Sequence, residues 1–265
     1  MKQIYSDLWQ TLAEHPYHGV TTHAYLLVQD AGNILFYSSG LSEEHQYIRE
    51  LGGITHQYLS HRDEAGPALA DIKRLFGSKL CCHRLEEAAV KKFAPVDCKF
   101  EERVRLGNIE VIPTPGHTNG SVCFLVRSAH GKTYLFTGDA IYLNNGAWDT
   151  LVWEHAGGSK SDLKNSLKLL RDLEPDVVLS SASVGPFHLR RSQRRSGSWT
   201  STTSFALCPN SSSTLAALET PNDGELWVNL RKGPFNATQH VVEARIVAGK
   251  PGLPLLRLAS VFGQA

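Results

Sequence analysis

Residues 107–126 read GNIEVIPTPGHTNGSVCFLV, and the fold turns on them. The run NIEVIPTPGHT (108–118) is a β-rich apolar segment ending in a Pro/Gly loop, and SVCFLVRS (121–128) is a second, buried strand. The loop between them carries His117. A histidine held by a Thr-Pro-Gly turn at the end of a strand is well placed to present a ring nitrogen to a metal.

The same theme recurs on either side. Downstream, KTYLFTGDAI (132–141) is a strand that ends at Asp139. Upstream, ITHQYLSHRDEAGPA (54–68) starts as a strand and runs into a polar loop holding His61 and Asp63. Strand ends that deliver polar residues are where sites are built, and these three loops converge on one metal only if their strands adjoin in a sheet. Between the strands, SEEHQYIREL (42–51) predicts a helix capped by Ser42 and the Glu43-Glu44 pair, with Tyr47, Ile48 and Leu51 on its apolar face. ALADIKRLFG (68–77) predicts another, closed by Gly77, and a third follows over 159–173 behind Ser159. Near the N-terminus, 21–29 and 33–38 read as a hairpin around Asp30-Ala31-Gly32. EPDVVLSS (174–181) supplies a last buried strand.

At these loops the chain resembles the metallo-β-lactamase superfamily, whose signatures are Thr-His-x-His-x-Asp-His, TPGHTxGS and TGD. TPGHTNGS (114–121) is the most specific match, and the likeness runs from about Tyr25 to Gly185. It implies an α/β chain folded as an αββα sandwich. Carried over by position, His61 matches the first signature histidine, His117 the histidine of the second, and Asp139 the acidic ligand of the third. Asp63 stands where the next histidine belongs, and Ala65 and Gly66 replace the aspartate and histidine that serve a second metal. The final family histidine should fall in SSASVG (180–185), where Ser181 and Ser183 offer hydroxyls instead. The resemblance therefore implies one divalent metal, zinc ahead of iron, on His61, Asp63, His117 and Asp139. Asp63 and Asp139 are the candidate proton acceptors for a metal-dependent hydrolase of undetermined small-molecule substrate. Two His and one carboxylate also suit iron, as in the similar persulfide dioxygenases, and a non-catalytic member is a third reading.

Composition separates the chain into two parts. Residues 1–185 hold 18 Lys/Arg against 22 Asp/Glu, whereas 186–265 hold 9 against 4. Thirteen Ser/Thr crowd 186–220, so residues 186–265 are read as an irregular Ser/Arg-rich tail, with short strands at most in ELWVNL, HVVEARIVAG and LLRLASVF. The abruptness of the change after Gly185 suggests a further reading, an altered reading frame downstream, a point for the coding nucleotide sequence to decide. RRSQRR (190–195) is read as a solvated charge run rather than a nucleic-acid site. With five cysteines, no CxxC pair, no secretory leader and no long apolar run, the expectation is a cytoplasmic protein without membrane segments or a disulfide framework. His83 is expected to pack in a strand, and His15, His18, His23, His45 and His56 have no metal-ligand spacing. Tyr142 and Trp148 are taken as packing residues.

Overall fold

The structure, a computed structural model, describes residues 1–185 and, beyond them, only the backbone pairings of Phe205–Leu207 with Leu230–Lys232 and of Leu226–Trp227 with Val247–Ala248. The expectations for the rest of 186–265, including the RRSQRR run, lie outside the described residues. Two sheets face each other. One has seven strands in the order Lys2–Tyr5, Leu8–Gln10, Tyr25–Leu27, Ile34–Phe36, His56–Tyr58, Lys79–His83 and Cys98–Phe100. The other has five, in the order Val177–Ser180, Thr133–Gly138, Val122–Arg127, Ile109–Pro113 and Val104–Leu106. Helices α1 (Ser42–Glu50), α2 (Ala68–Phe76), α3 (Glu87–Val90) and α4 (Lys160–Arg171) cover them. No described helix is long and apolar enough to cross a membrane.

Aromatic side chains knit the two sheets. Phe36 from the first sheet stacks on Phe136 from the second with ring centroids 3.9 Å apart, and Tyr58 and Phe124 lie 5.5 Å apart in the same layer. Such rings bury large apolar areas, so this layer dominates the core. A second cluster, with Ile112, Leu125, Leu135, Leu163 and Leu170, packs α4 on the outer face of the five-stranded sheet. That is the αββα arrangement the resemblance implies.

The local expectations divide. Gly77 closes α2 with φ +63, and Ser159 caps α4 by accepting the Asp162 N–H at 3.1 Å. On α1 the expected capping and apolar face are corrected. Ser42 Oγ donates to Glu43 rather than capping the helix, and Tyr47 is exposed. Glu44 turns inward instead, because its carboxylate meets the Met1 amino group at 3.0 Å, a partner no local pattern reveals. The expected strand over 21–29 is two strands. Val20–Thr22 pairs with Ala182–Val184 in a four-stranded sheet, and the chain switches sheets at His23 and Ala24 before Tyr25–Leu27. This crossing brings the end of the described domain back to its beginning.

Candidate metal centre

Four strand ends meet at one edge of the sandwich. Strand His56–Tyr58 runs into Ser60 and His61, Ile109–Pro113 into the TPGHTNGS loop, Thr133–Gly138 into Asp139, and Val177–Ser180 into Ser181. Strands Thr133–Gly138 and Val177–Ser180 are parallel neighbours, so both deliver polar residues at the same end. The loops are tied across the sandwich as well, since Val122 N donates to Ser60 O at 2.9 Å. Two glycines permit the close approach. A Cβ on Gly138, where φ is +55, would fall 2.0 Å from Ser60 Oγ. A Cβ on Gly116 would fall 2.4 Å from the Leu163 backbone, so the TPGH turn lies directly against α4.

His61, His117 and Asp139 each bring one ligand atom within 4.8 Å of the others, and among the described residues they form the group suited to holding a metal ion. Both histidines are buried, and neither Nε2 has a hydrogen-bond partner. Leaving two buried ring nitrogens unmatched is costly unless something else meets them. What faces them is carboxylate. His61 Nε2 lies 3.4 Å from Asp139 Oδ2 and 3.8 Å from Asp63 Oδ2, and His117 Nε2 lies 3.6 Å from the same Asp63 oxygen. Donors bonded at about 2.0–2.1 Å to one tetrahedral ion stand roughly 3.3 Å apart, so these separations suit atoms sharing a cation. The sequence-predicted quartet is thus brought together, with a difference of environment. Asp139 is the more enclosed, with 20% of its side chain exposed, while Asp63 sits at the rim with 37% exposed.

The opposite faces of the ligands are held. His117 Nδ1 meets the Leu151 carbonyl at 2.9 Å, which directs its Nε2 to the site. His61 Nδ1 lies 2.9 Å from Ser60 Oγ and 3.1 Å from Glu64 Oε1, and Glu64 in turn accepts the Ser60 N–H at 2.8 Å. This carboxylate behind a histidine fixes the ring and raises its basicity as a ligand. Ser181 Oγ donates to Asp139 Oδ1 at 2.5 Å. Ser181, one of the two serines in the stretch where the resemblance puts the last histidine, therefore orients a carboxylate. Glu64 escaped the sequence reading because it lies within the signature at a position the signature leaves open; its spacing three residues after His61 in a polar loop was the available signal.

Electrostatics follow from this crowding. Burial alone would lower the His61 pKa, but the Asp139 and Glu64 carboxylates raise it well above its ordinary value. Burial alone would raise Asp139, yet His61, His117 and the Ser181 hydroxyl bring it down to about 2. Three carboxylates around two imidazoles make a site that favours a positive charge. Ala65 and Gly66, where the resemblance expects ligands of a second metal, bring no ligating side chains. His83, as expected, is a strand-end packing residue whose Nδ1 accepts the Leu85 N–H at 3.2 Å.

A sequence model of the metallo-beta-lactamase superfamily matches residues 42–181, just over half of the 265 residues. A probable metallo-hydrolase of Methanocaldococcus jannaschii is 31% identical over 99 residues, a stretch making up 37% of this chain and 40% of that protein. The match thus spans less than half of that relative's length. Among solved structures, a metallo-beta-lactamase from Pontibacter korlensis superposes with a TM-score of 0.55 at 18% identity, covering 68% of this chain and 89% of that one. The protein TTHA1623, solved in a di-iron-bound form, superposes with a TM-score of 0.52 at 23% identity, covering 64% and 90%. At these identities the structural likeness speaks for a shared fold.

Proposed function

Because this chain belongs to the metallo-beta-lactamase superfamily, we propose that it is a metal-dependent hydrolase working with a single divalent ion, zinc in the first instance. His61, His117 and Asp139 would hold the ion, with Asp63 as a further oxygen ligand or as the base beside it. The observation that carries this reading is the pair of buried Nε2 atoms without hydrogen-bond partners, aimed at carboxylates 3.4–3.8 Å away. A bound zinc ion supplies a water of lowered pKa and a Lewis acid for a carbonyl or phosphoryl oxygen.

The chain's own groups divide the remaining work. Asp139, kept anionic by its neighbours and fixed by Ser181, is a ligand that does not exchange protons near neutral pH. Asp63, partly open to solvent at the rim and facing both histidines, would take up a proton and pass it outward. Leu151 and Glu64 hold the histidine rings in register from behind. We take residues 1–185 as the unit that carries this activity.

Elemental analysis of the purified protein beside a His117→Ala variant tests the reading. About one zinc per chain, lost in the variant, supports it, and turnover of activated esters or phosphoesters that disappears with the metal completes the case. The two-His, one-carboxylate set also suits ferrous iron. One iron per chain with oxygen uptake on a thiol or persulfide substrate replaces the hydrolase with an oxygenase, and no metal in either protein overturns both.

A further inference from the structure

Away from the metal centre, two cysteines stand side by side on neighbouring strands. Cys81 in Lys79–His83 is the register partner of Cys98 in Cys98–Phe100, the parallel edge strand of the seven-stranded sheet. Register partners on adjacent strands project to the same face. Both packing environments agree with this, since Cys81 belongs to the core between the sheets and Cys98 packs against that same cluster. Cys82, the next residue, points the other way into a separate cluster with Leu59, Leu69 and Leu80. Neighbouring strands lie about 4.7–4.9 Å apart, inside the roughly 4.4–6.8 Å between Cα atoms that a disulfide spans. Both thiols are free in this structure.

The pair is also reachable. Cys81 and Cys98 line one groove, about 640 Å³, that runs between the edges of the two sheets and is walled by Tyr58, Phe100, Val104 and Leu106. Within it Cys98 is partly exposed and Cys81 is buried. Burial and the adjoining Cys98 hold the Cys81 thiol far above the usual thiol range, so it is a poor first nucleophile.

We propose that Cys81 and Cys98 form a dithiol site that reacts with low-molecular-weight disulfides and closes into a reversible disulfide between the two strands. The Cys98 thiolate attacks one sulfur of the small disulfide RSSR, forming a Cys98–S–SR bond and releasing one thiolate, which takes up the proton Cys98 lost. Cys81 then attacks the Cys98 sulfur, its proton goes to the departing second thiolate, and Cys81–Cys98 is left bonded. Two thiols are oxidised and one small disulfide is reduced to two thiols. The reverse exchange with a dithiol restores the starting state.

The test uses the full chain treated with bis(2-hydroxyethyl) disulfide and then digested with trypsin without reduction. Cleavage after Lys79, Arg84, Lys92 and Lys99 places Cys81 and Cys82 in residues 80–84 and Cys98 in residues 93–99. The linked pair of peptides is expected from the wild type and from Cys82→Ser, and is lost from Cys98→Ser. Cys81→Ser is expected to stop at a mixed disulfide on Cys98. The wild type and Cys82→Ser alone decide the matter if Cys81→Ser does not fold. A wild-type protein that halts at the Cys98 mixed disulfide, that does not react, or that still links in Cys81→Ser would overturn the proposal.

Discussion

Glu86 is fully buried and ion-pairs with Arg62, the residue that follows His61 in the chain. Its Oε1 also accepts the Thr118 hydroxyl at 2.7 Å, and Thr118 follows His117. One carboxylate from a third segment thus grips the two loops that present the histidines. Arg62 extends the bracket by donating to Asn119 Oδ1.

Replacing Glu86 with Ala is expected to remove this bracket and leave Arg62 partly buried without its counter-charge. Breaking a buried pair costs about 3–5 kcal/mol, and Arg62 keeps some contact with water, so a loss of about 2–3 kcal/mol is expected. Urea unfolding of metal-free protein measures it. A loss within about 0.5 kcal/mol would mean that the bracket contributes little.

Glu64→Gln tests the support behind His61. The neutral amide cannot hold the imidazole as the carboxylate 3.1 Å from Nδ1 does, and loss of such a partner lowers metal affinity by about 10–100-fold. Competition against a chelator reads the change directly. Unaltered affinity would assign Glu64 to loop structure through its bonds to the Ser60 N–H and hydroxyl.

Tyr37 crosses the sandwich to the site. Its ring is buried at a left-handed backbone position with φ +71, its hydroxyl accepts the Gly138 N–H at 2.9 Å, and it donates to the Leu179 carbonyl at 2.8 Å. Tyr37→Phe leaves the Gly138 N–H without its acceptor just before Asp139 and removes one of two donors to the Leu179 carbonyl, which Thr137 Oγ1 also meets at 3.4 Å. A cost of about 1–3 kcal/mol for one orphaned buried donor sets the expected loss. Chemical denaturation is the readout, and metal affinity should fall with it because the strand ends carrying Asp139 and Ser181 loosen.

Asp97 gives a pH dependence remote from the metal. Burial would raise its pKa, but the Lys73 ammonium and the Leu80 N–H outweigh that and lower it below 3.8. A lowered folded value means the stabilisation is present above the unfolded pKa and is lost as the pH falls through the folded one. Asp97→Asn should therefore cost about 0.5–1 kcal/mol at pH 7, the small value reflecting a pair partly open to water, and the gap should close as the pH is taken below 3.8. Parallel stability curves for the two proteins at pH 7 and pH 3 would show a constant gap if the ion pair were not its origin.

The parts of this protein legible in its sequence are those governed by neighbours along the chain. The alternation of apolar strands with polar loop ends, the Gly77 and Ser159 caps, and the positions of His61 in SHRDE, His117 in TPGHTNGS and Asp139 in TGD depend on residues a few places apart. The exchange of ligands for Asp63, Ala65 and Gly66 is equally a matter of position in a motif. What tertiary structure alone decided are contacts between segments far apart in sequence: Glu86 to Arg62 and Thr118, Tyr37 to Gly138 and Leu179, Ser181 to Asp139, and Glu44 to the Met1 amino group. Each satisfies a buried polar group whose burial is itself a product of packing. Because the need for a partner arises only after the sheets close, neither the need nor the partner leaves a periodic trace in the chain.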